Sequence, residues 1–585
     1  MRSTSRLMLL ILPALVWQTA CQPAPDQNAP PTGRGDRLTG ATFATRSPAV
    51  GQNGMASTSH PLATQTAIDI LKQGGSAVDA AIAANAVLGF VEANNCGIGG
   101  DLFAIVWDEA SGQLHGLNAS GRAPLGQSLD DLMERLDGAD GIPLHGPLAV
   151  SVPGAVDGWF ALHERFGVLP MQDVLAPAIR YAREGTPITQ VVGFSWAQAH
   201  QRLKDHIHEI GDLSSFENTW FVDGRMPPEG KIFRNPDLAA TYERIAAGGR
   251  DIFYEGAIAD AIDAWARRTN TPLRKADFEA HTSTWVDPVS VPYRDVEVYE
   301  LPPNGQGMAV LQMLRILEGF DLASLGHNTA DYLHVLVEAK KLAFADRARH
   351  YADPAFADIP LERLLSEEYA AEQRGRIDMT QAMQRIATGD LEHGDTVYLT
   401  VADANGNMVS LIQSNFFEFG SGMTPDGLGF VLQSRGSQFS LDPDHPNVYA
   451  PGKRPFHTII PGFVMRDGQP VMAFGVMGGP FQPQGQVQVL LNMIEFGMNV
   501  QEAGDAARFS HSSALQPTGG TMTDGGRLAL ESGIAPEVRE ELVRRGHILA
   551  PTDYFGGYQA ILWGAEQGVY HGGADMRKDG NALGY

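Results

Sequence analysis

The hydrophobic pattern changes character along the chain. Residues 62–73 and 76–91 carry helical spacing and are broken by Gly74-Gly75; the second stretch is alanine-rich, with one face small enough for close packing. Leu102 to Trp107 is a short apolar run that predicts a buried strand. From about 127 to 290 the chain reads mostly as helices and loops, with a break at Gly185-Thr186-Pro187 too short for a linker, and 328–350 predicts one long helix of mixed charge. After residue 395 strands take over. Residues 396–402 read as a strand, Ala404-Asn405-Gly406-Asn407 as a hairpin turn, and Met408 to Ser414 as the returning strand. Gly462 to Met465, Val471 to Val476 and Ala560 to Trp563 add three more, with helical spacing from Val487 to Met498 between them. Helices and paired strands in this order point to an α/β layered fold.

Length, at 585 residues, does not fix a domain count, but 43% apolar content is ample for a large core. With 68 acidic and 43 basic residues the net charge is −25, which disfavours a nucleic-acid partner or direct attraction to an anionic membrane. Arg2 and Arg6 precede an apolar run from Leu7 to Trp17, too short for a mature membrane helix and suited to an export signal over residues 1–20. Cys21 follows Thr19-Ala20 and opens a Pro/Gln/Asn/Gly-rich stretch to Arg37, which resembles a bacterial lipoprotein site with a tether, although Gln18 departs from the usual aliphatic residue. Plain secretion with an incidental cysteine is the competing reading. Cys96 is the only other cysteine; it reads as a small packing residue among glycines and leaves no disulfide framework.

Candidate chemistry centres on Thr396. In Gly394-Asp395-Thr396-Val397 a turn-prone stretch gives way to a strand. Scission between Asp395 and Thr396 would create an N-terminal threonine whose α-amine, with a pKa near working pH, serves as its own general base. The hairpin brings Ser414 back towards Thr396. The same residues also fit an ordinary hairpin carrying two surface hydroxyls.

Thr396 is preceded by Ser59-His60-Pro61-Leu62-Ala63-Thr64, Gly74 to Ala81, Gly97-Ile98-Gly99-Gly100-Asp101, Val152-Pro153-Gly154, Pro302 to Gly305 and Glu338-Ala339-Lys340-Lys341. Gly452-Lys453-Arg454-Pro455, Gly478-Gly479 and Gly580 to Tyr585 follow it. With these motifs, in family order, the sequence is similar to the γ-glutamyltransferases, self-processing N-terminal-nucleophile hydrolases, over nearly the whole mature length. The resemblance implies a four-layer αββα sandwich, a large subunit of residues 38–395 and a small subunit of 396–585 that begins with the nucleophile.

It also implies a site. Thr396 would attack an amide carbonyl and form an acyl-enzyme, Ser414 would hydrogen-bond the nucleophile's amine, and Gly478-Gly479 would supply the oxyanion donors. Arg122 matches the arginine that grips the substrate's α-carboxylate. Elsewhere the chain departs from glutathione-processing members: where they hold the glutamyl ammonium it has Phe416, Arg435 and Gln438, and the serine pair near the carboxylate appears as His457-Thr458. An ammonium would meet an apolar ring and a positive charge there, with Gln438 the remaining acceptor. These departures resemble the branch that includes cephalosporin (glutaryl) acylases. Phe416 as core packing and Arg435 pointing to solvent are the bland alternatives. The stretch 440–451 is shorter than the family's longest lid loops, so an open pocket is expected.

No Gly-x-Ser-x-Gly elbow, phosphate loop or His-Glu-x-x-His helix occurs, and His200, His206 and His208 lack a metal spacing and suit a solvated helix face. No cofactor or metal is expected. The partners expected are a small γ-glutamyl or glutaryl amide, an amino acid, peptide or water as acyl acceptor, the two subunits of one precursor, and a membrane through the lipid alone. An unprocessed binding or scaffold protein is the alternative from another class.

Overall fold

A computed structural model describes residues 45–385, 395–512, 524–552 and 554–585, with Phe43 and Pro517 besides. The expected export signal, Cys21 and the tether lie outside the described residues, as do residues 386–394 ahead of the expected cleavage point.

Up to residue 300 the strands are β1 (Ala49–Gly51), β2 (Met55–Thr58), β3 (Asp101–Asp108), β4 (Gln113–Ala119), the short pair β5 (Thr186–Pro187) and β6 (Ile232–Phe233), β7 (Thr284–Val286), β8 (Val289–Tyr293) and β9 (Val296–Glu300). Beyond residue 394 follow β10 (Asp395–Ala402), β11 (Met408–Phe416), β12 (Gly462–Arg466), β13 (Gln469–Met477), the pair β14 (Phe509–His511) and β15 (Leu528–Leu530), β16 (Gly557–Gly564), β17 (Val569–Ala574) and β18 (Asn581–Gly584). Two seven-stranded sheets result, in the orders β18-β2-β10-β11-β3-β4-β7 and β1-β17-β16-β13-β12-β9-β8. Neighbouring strands run antiparallel, and the pleat of each strand sends successive side chains to opposite faces and hence to different cores.

That alternation builds the layers. Val397, Leu399 and Val401 of β10 join Leu102, Ala104 and Val106 of β3 against the helices Pro61–Lys72 and Ala77–Val91. Tyr398 and Ala402 point the other way, with Phe103 and Ile105, and meet Phe463, Ala473 and Ile561 of the second sheet. The far face of that sheet, with Val298, Val464 and Phe474, packs on the helices Gly307–Leu317, Ala330–His350 and Gln482–Ile494. Helix, sheet, sheet and helix form the expected αββα sandwich. Each fully buried Leu, Val or Phe contributes about 1.5–3 kcal/mol, so three such cores supply ample drive.

Ala77–Val91 is buried on every face, which is why it is apolar apart from Asp79 and Asn85. Its start is set by a reciprocal cap: the Ser76 hydroxyl accepts from the Asp79 N–H, and the Asp79 carboxylate accepts from the Ser76 N–H. Ala330–His350 matches the long helix expected there, but its mixed charges are internal: Lys341 Nζ bonds Glu338 Oε1 at 2.7 Å with both side chains buried. The helix expected from Val487 begins at Gln482 and ends at Ile494. Its first turn is rich in glutamine and hides from any hydrophobic periodicity, yet Gln482, Gln484, Gln486 and Gln488 are all buried with their amides on neighbouring groups. Among the described residues no helix is long and apolar enough to cross a membrane.

Candidate active site

The hairpin β10–β11 places the nucleophile candidate at an irregularity. Asp395 pairs with Phe416 and Val397 with Gln413, so Ser414 and Asn415 together face Thr396 alone. Such a bulge bends the strand and re-aims the side chain at its centre. The Thr396 hydroxyl donates to Ser414 Oγ at 3.3 Å, and both residues are fully buried. Ser414 Oγ also accepts the Phe416 N–H at 2.7 Å, which fixes its lone pairs.

Gly478 and Gly479 end β13 at φ 131° and 51°, a left-handed stretch in which a Cβ is strained, and a Cβ on Gly478 would also meet Tyr554 at 3.1 Å. Gln306 Nε2 donates to the Gly479 carbonyl at 2.8 Å and to that of Thr458 at 2.6 Å, pinning the turn from behind. Three residues later Gln482 opens the helix. Its Nε2 donates to Thr396 Oγ1 at 3.2 Å while its Oε1 accepts from Ile460 N–H at 3.1 Å.

A second node joins the remaining positions. Asp101, directly across from Ser414 in the β3–β11 pairing, takes the N–H groups of Gly121 and Gly154 and Nε2 of Gln433 on Oδ1, and His457 Nε2 at 2.8 Å on Oδ2. Burial, with the Arg435 cation nearby, holds the His457 imidazole down at about 4. It is therefore neutral, protonated on Nε2, and its Nδ1 has no partner among the described residues. Arg435 Nη1 donates to Thr458 Oγ1 at 2.8 Å, and its guanidinium lies 4.3 Å above the centre of the Phe416 ring. Of the two bland alternatives the solvent-facing one fails, because Arg435 is fully buried; Phe416 is buried as well, so it packs in the core while its ring lies beneath the guanidinium. Burial lowers the Arg435 pKa to about 9, against the pull of Asp101. Phe416 itself sits at φ 75°, a backbone region that a bulky residue occupies only when its surroundings force it.

Gln438 closes the short 3-10 turn Arg435–Gln438 with its side-chain amide buried and unpartnered among the described residues. The stretch 440–451 is tied to this turn: Asn447 Nδ2 donates to the Gln438 carbonyl at 2.7 Å, and Ser440 and Asn447 bond through their main chains. Arg122 is partly exposed, with Nη1 on the Thr282 carbonyl at 3.2 Å, an oxygen it shares with Arg454. Its link to the site is the neighbouring Gly121, bonded to Asp101. Asp395 opens β10, and Cys21 lies outside the described residues.

Asp101, Gln306 and Gln482 were not marked as site residues by sequence reasoning. Only Asp101 carried a signal, as the acidic end of Gly97-Ile98-Gly99-Gly100-Asp101. The histidines at 200, 206 and 208 do not bring their ligating atoms together as a group; the His206 ring stacks on that of His208 at 6.2 Å and meets the His145 ring edge-on at 5.2 Å. Among the described residues the ligating atoms that do converge, within 4.8 Å, are those of His334, Glu338 and His547. They are already engaged: His334 Nδ1 lies 2.8 Å from His547 Nε2, His334 Nε2 lies 2.8 Å from the Asp378 carbonyl, and Glu338 accepts from Lys341 and Met383. A lysine on the carboxylate competes with any cation.

The arrangement as a whole is a buried hydroxyl between a hydroxyl neighbour and an amide donor, beside a left-handed diglycine turn. It suits acyl transfer through a covalent ester. Known proteins are similar to the chain in sequence and fold. The chain is 37% identical over 542 residues to the glutathione hydrolase-like YwrD proenzyme of Bacillus subtilis, covering 92% of this chain and 99% of that one. It is 35% identical to the oxamate amidohydrolase proenzyme of Klebsiella pneumoniae, with the same coverage. The solved cephalosporin acylase from Bacillus halodurans superimposes with a TM-score of 0.85 at 40% identity, covering 94% of this chain and 99% of that structure. Residues 63–585 match the family model described as gamma-glutamyltranspeptidase, and the chain belongs to that family.

Proposed function

We propose that the protein is a self-processing amidohydrolase and acyltransferase that cleaves γ-glutamyl or related acyl amides through an acyl ester on Thr396. The observation that carries this reading is the buried Thr396 hydroxyl bonded to Ser414 and Gln482 at the bulge. In the precursor Thr396 Oγ1 attacks the Asp395 carbonyl; the peptide C–N bond breaks, the acyl group moves to oxygen, and water hydrolyses the ester. A free Thr396 amine and an Asp395 carboxylate remain. In turnover the amine takes the hydroxyl proton as Oγ1 attacks the substrate carbonyl, and returns it to the leaving amine. The N–H groups at Gly478-Gly479 receive the negative charge on the carbonyl oxygen. Water or an amine then releases the acyl group.

A second reading, an acylase with little glutamyl transfer, is favoured by the Arg435–Phe416 stack, which offers an ammonium a like charge and no carboxylate. Residues 1–20 would direct export, and Cys21 would carry lipid outside the cytoplasm, with the enzyme tethered to a membrane by residues 21–37. N-terminal sequencing of active enzyme tests the core of the proposal: a fragment beginning at Thr396 is expected, and Thr396→Ala should remain one inactive chain. Active enzyme without that terminus would refute the mechanism. Rates on γ-glutamyl- and glutaryl-p-nitroanilide separate the two substrate readings, and fractionation of Cys21→Ser against the parent tests the anchor.

A further inference from the structure

Arg435 is anchored on two sides and unused on a third. Nη1 is spent on Thr458 and the guanidinium face rests on Phe416, but Nε and Nη2 have no partner among the described residues although the side chain is fully buried. Leaving charged donors unpaired inside a protein is costly, and a buried charge is ordinarily matched by one of opposite sign. Three residues on in the same 3-10 turn, where positions i and i+3 project on one side, the Gln438 amide is equally buried and equally unpartnered among the described residues. Asp101, the carboxylate nearest in effect, has both oxygens occupied by Gly121, Gly154, Gln433 and His457.

The connectivity fixes which side of the reacting carbonyl this cluster serves. The first acyl group that Thr396 receives is that of Asp395, so a later substrate's acyl chain takes the place Asp395 leaves. Asp395 is the register partner of Phe416, and Phe416 is the ring beneath Arg435. From the other direction, Thr458 joins Arg435 to Gln306, which holds the Gly479 carbonyl. The free edge of Arg435 thus belongs to the acyl side.

We propose that Nε and Nη2 of Arg435, with the Gln438 amide beside them, form an anion subsite that binds the distal carboxylate of the acyl group, and that this subsite, rather than Arg122, selects monoamides of short dicarboxylic acids. The proposal rests on the acyl-Thr396 reading above. Two parallel N–H donors on a planar fork match a carboxylate in geometry as well as charge. Removal of Asp395 from its pairing with Phe416 on processing is what admits the ligand.

Glutaryl-p-nitroanilide and pentanoyl-p-nitroanilide, equal in chain length and differing in the terminal carboxylate, provide the test on processed enzyme. The parent should prefer the glutaryl compound in kcat/KM, and Arg435→Met should reduce that ratio about ten- to a hundredfold. Arg122→Ala decides the matter independently if Arg435→Met fails to fold or process: the glutaryl preference should survive it. Collapse of the ratio in Arg122→Ala, survival in Arg435→Met, or the absence of any preference in the parent would each overturn the subsite. Failure of the underlying reading looks different, since then neither anilide is cleaved and no Thr396 terminus forms.

Discussion

Gln482 Nε2 lies 3.2 Å from Thr396 Oγ1, reaching the hydroxyl from the first residue of a helix 86 positions further along the chain. A donor placed there leaves the hydroxyl proton free to point at Ser414, which it does. Gln482→Ala removes that orientation and leaves the Ile460 N–H without its partner. The lost bond is worth about 0.5–1.5 kcal/mol, so processing should slow roughly two- to tenfold while Thr396 keeps its place. Conversion of purified precursor followed on denaturing gels checks this, and an unchanged rate would remove Gln482 from the machinery.

Phe416 is the next position to alter. At φ 75° an asparagine is far more at ease than a phenylalanine, and it also offers an acceptor. The Phe416→Asn, Gln438→Asp double variant should gain activity selectively on γ-glutamyl donors, because it supplies acceptors for an α-ammonium beside Arg435. The ratio of γ-glutamyl- to glutaryl-p-nitroanilide turnover reads the outcome; equal changes on both would show that these positions do not sense the amino group.

Acid should weaken the fold through its buried histidines. Burial holds His60, His145, His281 and His457 at about 4, against an ordinary value near 6.5. The unfolded chain therefore takes up protons on these side chains at a pH where the folded chain does not. Their contribution to stability is complete above about pH 6.5 and is lost as pH falls towards 4, at of order 1–3 kcal/mol per histidine. Urea midpoints of the uncut Thr396→Ala chain should fall steadily over that range, and a flat profile would contradict the assignment of neutral rings.

Cutting ahead of Thr396 should not separate the pieces. In the nucleophile's sheet β18, β10 and β11 come from the second piece, while β2, β3, β4 and β7 come from the first, and β2 is held between β18 and β10. Processed enzyme should elute at the size of the uncut Thr396→Ala chain and yield two chains only under denaturant. Dissociation in native buffer would show that the interleaving is not stable once the bond is gone.

Local features of this architecture were legible and distant ones were not. The hairpin announced itself through Ala404-Asn405-Gly406-Asn407, with Gly406 at φ 92° in the turn, and that alone brings Ser414 to Thr396. The layering was blurred because Val397 and Tyr398 are both apolar yet belong to different cores, so a strand buried on two faces loses the alternation that would reveal it. That expectation came from family resemblance. Gln482 escaped because its helix begins with buried glutamines whose partners lie far away in sequence, and polar residues of that kind look like surface until the fold brings Ile460 and Thr396 to them. Arg435 was visible as a departure from the family pattern, but its burial and its unused edge were not.

The strand β18 also bears on when the enzyme can mature. It forms the edge beside β2, and the Tyr585 carbonyl that follows it accepts the N–H groups of Gln52 and Asn53 at 2.8 and 2.6 Å. Thr396 therefore rests on a sheet whose border is made by residues synthesised some 185 positions after it, 581 less 396. A nascent chain long enough to include the nucleophile still lacks the edge that braces β2 against it. The sheet that carries the nucleophile is thereby completed by chain far beyond it, which ties the folding of the first piece to that of the second.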